Sequence, residues 1–130
     1  MDALETAALA AKFATPAPAQ LSAWYRDHLG FTRHGVIDDG RYAIVSRGSI
    51  KIHFWQCDER RIAEHTACYI TLASCTALDR LHAEWLDAAQ RPSFHPGRLE
   101  RSPQDKHGHG MREFHVWDPA GNLIGLGADL

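Results

Sequence analysis

No stretch of the sequence approaches the roughly 20 consecutive apolar residues that a membrane-crossing helix needs, so no such helix is expected. Cysteine is scarce: Cys57, Cys68 and Cys75 are an odd number without C-x-x-C spacing. They argue against a disulfide framework and for a reducing compartment. An excess of one charge is missing too. The formal net charge of -2 offers no electrostatic footprint for nucleic acid or for an acidic membrane surface. The opening MDALETAALAAKF carries Asp2 and Glu5 where an export signal would carry positive charge, which points to the cytoplasm. Neither a GxSxG elbow nor a Walker-type loop is present, and no cysteine sits in a nucleophile motif.

What remains is an ordinary globular composition, 45% apolar and 23% charged over 130 residues, enough for one domain with its own core. Nine histidines are the one compositional excess, and they raise the question of metal. Residues 7–14 alternate, with Leu9, Ala11 and Phe13 on one side, and read as a short strand ended by Pro16 and Pro18. From 19 to 28, Leu21, Trp24, Tyr25 and Leu29 recur at helical spacing, with Gly30 placed as a cap. Three strands follow, over 31–37, 42–46 and 50–57, joined by turns at Asp39-Gly40 and Arg47-Gly48. A charged stretch, 58–64, reads as a linker.

The order then repeats: a strand over 65–72, an amphipathic helix over 77–88, and a polar loop from 90 to 110 with one short strand near 98–101. Strands over 111–117 and 123–128 close the chain around DPAGN. The pattern is strand, helix, three strands, twice, an α+β chain with module one at about 7–57 and module two at about 65–129. In DPAGN, Asp118 is suited to accepting backbone N–H bonds, and Gly121 and Asn122 tolerate positive φ, so a structural role is expected. Trp24 and Tyr25 read as helix-packing residues.

Three stretches carry a family resemblance. Residues 24–31 (WYRDHLGF) are similar to the helix-to-strand signature of the vicinal oxygen chelate superfamily, which embraces glyoxalases, bleomycin-resistance proteins and dioxygenases. Residues 42–55 (YAIVSRGSIKIHFW) resemble the adjoining hairpin of its bleomycin-resistance branch, and residues 111–122 (MREFHVWDPAGN) resemble that branch's last hairpin. The resemblance implies paired βαβββ modules, each curling a four-stranded sheet into a half-cup with a helix on its outer face. The alternation agrees. Leu9, Phe13, Ile50, Ile52, Phe54, Cys68, Ile70, Leu72, Phe114 and Val116 form an apolar set fit to pack under helices, while Lys12, His53, Trp55, Tyr69, Glu113, His115 and Trp117 form the opposite, mixed set.

In the family's binding proteins a flat bithiazole stacks between aromatics while acidic groups attract a cationic tail. The resemblance therefore implies a non-enzymatic antibiotic-binding protein that sequesters a bleomycin-type glycopeptide, or a similar planar cationic compound, without modifying it. The expected ligand-binding residues are Asp38, Tyr42, His53, Trp55, Tyr69, His109, Glu113, His115 and Trp117, with Asp39 a further acidic group. His109 stands where many relatives carry tryptophan. A homodimer with clefts shared between chains is expected, without nucleic acid, membrane or cofactor. The superfamily's enzymes are the alternative: metal-dependent lyases, isomerases or dioxygenases. Their ligand positions on the first and last strands fall here on Ala10 and Gly125, which cannot bind a cation, while His53 and His65 lie near the other two.

Overall fold

In the computed structural model, which describes residues 1–130, the two periodicities separate into strands and helices much as the pattern requires. Module one runs β1 (Ala11–Thr15), α1 (Pro18–Leu29), β2 (Thr32–Ile37), β3 (Tyr42–Arg47) and β4 (Ile50–Gln56). A short helix, α2 (Arg60–Glu64), leads to module two: β5 (Ala67–Thr71), α3 (Cys75–Ala88), β6 (Arg98–Leu99), β7 (Gln104–Lys106), β8 (Met111–Trp117) and β9 (Leu123–Asp129). The first sheet has the order β1-β4-β3-β2 with β1 parallel to β4. The second has the order β5-β9-β8-β6 with β5 parallel to β9, and β7 pairs with the other half of β8. No helix is long and apolar enough to cross a membrane.

Local chemistry sets the helix ends. Pro18 opens α1, where a missing N–H costs nothing, and Gly30 closes it in the left-handed region at φ 74. Ser74 caps α3 by accepting from the Ala77 N–H at 3.1 Å. Both helices turn their apolar sides to the sheets. Tyr25, Leu29, Leu78 and Trp85 meet Phe13, Ile52, Phe54, Phe114 and Leu126 in one buried cluster that takes residues from both modules. Each such side chain removed from water contributes about 1.5–3 kcal/mol. Buried tryptophans keep their polar edges satisfied, Trp24 donating to the Phe94 carbonyl at 3.0 Å and Trp85 to that of Leu29 at 3.3 Å.

The structure corrects the sequence in three places. The first strand begins at Ala11, because pairing with β4 starts at the Ala11–Ile52 step; Leu9 precedes it and is 93% exposed, outside the core. The stretch 58–64 contains α2, one charged turn held down by the buried Ala63. The loop 90–110 contains β7 as well as β6, since each pairs with half of β8.

The DPAGN turn joins the modules. Asp118 accepts from the N–H groups of Ala120, Gly121 and Asn122 at 2.9–3.1 Å, and from the Tyr25 hydroxyl at 2.8 Å. The fully buried Asn122 side chain donates to the Ala14 carbonyl at 2.9 Å and accepts from the Ala14 N–H at 3.2 Å. It thus satisfies backbone groups of the edge strand β1 as a neighbouring strand would. Gly121 supplies the positive φ of 104; Asn122 does not need one. Burial raises the Asp118 carboxyl to about 6 against the opposing pull of these donors.

Candidate functional site

Each sheet has one face under its helix and one turned away, here called the open face. On module one the open face carries Lys12 from β1, Tyr42 from β3, and Lys51, His53 and Trp55 from β4. Register puts Tyr42 opposite Trp55 and Lys12 opposite His53. The Tyr42 hydroxyl meets His53 Nδ1 at 2.7 Å, and Lys12 Nζ stands 5.8 Å from the Tyr42 ring centre. Trp55 is half-buried, leaving ring surface for a stacking partner. Burial, and then the ammonium groups of Lys51 and Lys12, pull the His53 pKa below the ordinary imidazole value. Asp38 is not on this face. It occupies the turn between β2 and β3 at φ 58, where Arg41 holds its carboxylate at 3.2 Å.

On module two, β8 carries Glu113, His115 and Trp117 on its open face, and β5 supplies Tyr69. The Tyr69 hydroxyl donates to Glu113 at 2.6 Å, reaching over β9 to β8. That crossing requires glycine beneath the ring. A Cβ at Gly125 would stand 3.0 Å from Tyr69 Cδ2, and one at Gly127 would overlap the Tyr69 hydroxyl. Burial first, then the hydrogen bond to Glu113, push the Tyr69 phenol up to about 12. His109 meets the other Glu113 oxygen at 3.1 Å, and the two hydrogen bonds hold that carboxyl below the ordinary range.

Two residues of this face escaped the sequence reading. Glu100 meets His115 Nδ1 at 2.6 Å, and the Arg98 guanidinium lies 4.0 Å over the Trp117 ring. Both follow from β6 pairing antiparallel with the end of β8, Arg98 opposite Trp117. Alternation within 98–101 was the available signal, but the pairing partner is invisible in one chain's sequence.

The superfamily's divalent metal does not fit these residues. Gly125, at the last-strand ligand position, lies under the Tyr69 ring, and Ala10 has no donor atom. His53 and His65, hydrogen-bonded at Nδ1 to Tyr42 and to the Arg61 carbonyl respectively, keep Nε2 as a donor atom, but no third ligand joins them. No three His, Cys, Asp or Glu side chains converge as ligands.

One cavity is lined by Lys12 and Lys51 from the open face of module one and by Tyr69 from that of module two, but none of the four principal cavities includes Trp55 or Trp117. Two of them, about 440 and 400 Å3, share Ile50 and Ile70 along the seam between the modules.

Against solved structures the whole architecture has close counterparts. The bleomycin-binding protein of bleomycin-producing Streptomyces verticillus, complexed with copper(II)-bleomycin, matches with a TM-score of 0.76 at 24% identity, over 95% of this chain and 97% of that one. A bleomycin resistance determinant encoded on the transposon Tn5 gives 0.74 at 20% identity, over 95% and 98%. The fold is that of the bleomycin-resistance proteins. A glyoxalase/bleomycin resistance protein/dioxygenase from Nocardioides shares it at a TM-score of 0.71 and 14% identity, over 95% of this chain and 83% of that one. No family model and no curated protein matches the sequence. On this bleomycin-resistance fold the open faces are built by β1, β3 and β4 in one module and by β5, β6, β8 and β9 in the other.

Proposed function

We propose that the chain binds and sequesters a bleomycin-type glycopeptide, or a similar planar compound with a cationic part, without altering it. The observation that carries this reading is the placement of Trp55 and Trp117, each half-buried on the open face of its own sheet and flanked by polar partners. The two other tryptophans, Trp24 and Trp85, are buried under the sheets. Such rings offer a flat ligand stacking of about 0.5–1.5 kcal/mol per pair beyond area burial. Glu113, with Glu100 beside it, offers a cationic group its counter-charge. The ligand-binding set is then Tyr42, His53, Trp55, Tyr69, His109, Glu113, His115 and Trp117.

The fold is shared with structures of bleomycin-binding proteins holding bleomycin, which supports the ligand class. Sequestration rather than chemistry is favoured by the occupied position over Gly125, where a metal-dependent relative needs a carboxylate. Because no principal cavity of one chain brings Trp55 and Trp117 together, the cleft is formed in a homodimer, module one of one chain facing module two of its partner. Bleomycin incubated with the protein and released by denaturation is expected to return with unchanged mass. An added acyl or phosphoryl group, or a hydrolysed product, overturns the proposal.

A further inference from the structure

Charge is distributed unequally over the two open faces. On module one, Lys12 and Lys51 flank His53, and the strand residues beside them are Tyr42, Ile44, Ser46 and Trp55. No carboxylate stands among them, and neither lysine forms a salt bridge, although Arg26, Arg41, Arg47, Arg60 and Arg112 all do. After burial, both ammonium groups help to hold the His53 imidazole below its ordinary pKa. On module two the carboxylates already have donors: Glu113 has Tyr69 and His109, and Glu100 has His115. The Trp117 ring already carries a cation, Arg98, at 4.0 Å. Tyr42 likewise has Lys12 over its ring.

A ligand bearing positive charge alone would meet two aromatic platforms that hold cations of their own and a lysine pair without counter-ions. We infer that the ligand is amphoteric, a planar aromatic that stacks on Trp55 and presents an anionic group, a carboxylate or acidic phenol, to Lys12 and Lys51. Its cationic part faces the Glu100 and Glu113 side. The inference rests on the proposed binding site and specifies its ligand class. Both lysines are exposed on the single chain, so their ion pairing strengthens only where the bound ligand covers them, and it falls with added salt.

Two isosteric probes test this: an aminoalkyl bithiazole ending in a carboxylate and the same molecule ending in a carboxamide, each titrated by tryptophan fluorescence. The carboxylate is expected to bind roughly tenfold more tightly at low salt, as ion pairing with two ammonium groups predicts. In the Lys12→Gln/Lys51→Gln variant the ratio of carboxylate to carboxamide affinity is expected to fall to about one. Equal affinity of the two probes, with bleomycin still binding, overturns the amphoteric assignment and leaves the site standing. Failure of both probes and of bleomycin overturns the site and the inference together. A double variant that keeps the carboxylate preference but dissociates into monomers overturns it as well, since the lysines would then serve the partner chain.

Discussion

Tyr69 crosses β9 only because Gly125 and Gly127 leave its ring room, and its hydroxyl reaches Glu113 as a result. Gly127→Ala puts a methyl group where that hydroxyl lies. The ring is a movable obstacle, so it swings outward, and the stability cost is about 1 kcal/mol. The change shows instead in titration. With its folded-state pKa near 12, above the ordinary 10.0, Tyr69 lends stability that is complete below pH 10 and lost as pH rises through about 12. In Gly127→Ala the ultraviolet titration of this phenol should move back toward 10, and the loss of stability between pH 10 and about 12 should shrink. A phenol still titrating near 12 in the variant would show that Glu113 is not what holds it. At this scale the sequence was legible in part. Glu113, His115 and Trp117 could be placed on one side of a strand by alternation, and Tyr69 on its mixed side. The Arg98–Trp117 and Glu100–His115 contacts join strands far apart in sequence through a register that alternation does not encode. Asp38 was assigned to the site by charge alone, and the local bond to Arg41 accounts for it differently.

At the scale of elements, helices and strands were read with small boundary shifts because their burial has a clear period, as in Ile52 and Phe54 against His53 and Trp55. The exceptions lack such a period. Leu9 is apolar but lies before the first paired step, and β7 is exposed throughout, QDK, so nothing in its composition marks a strand. The joint between modules was half visible. DPAGN announced a turn, but nothing in it announced that Asn122 would serve as the outer neighbour of β1. Asn122→Ala leaves the buried N–H and carbonyl of Ala14 without partners and removes a donor from Asp118. Each orphaned group costs about 1–3 kcal/mol, and protection of β1 amides from hydrogen exchange should fall more than that of β8. Uniform loss across both sheets would mean that the turn stabilises the whole chain rather than this edge.

At the scale of the molecule, Trp55 and Trp117 lie on separate open faces, and the proposed cleft joins them across a homodimer. Light scattering at micromolar concentration is expected to give twice the 14.5 kDa of one chain, with ligand shifting the equilibrium further toward the dimer. A monomer that binds bleomycin at full affinity would confine the site to one face. The central claim, that the open faces bind a flat ligand by stacking, is tested most directly by titrating bleomycin against tryptophan emission in the wild type and in Trp55→Ala. Saturable quenching is expected in the wild type, with affinity weakened in the variant by about 1–3 kcal/mol through lost stacking and burial and the fold unchanged by circular dichroism. No quenching in the wild type, or equal affinity in a folded Trp55→Ala, would contradict the account.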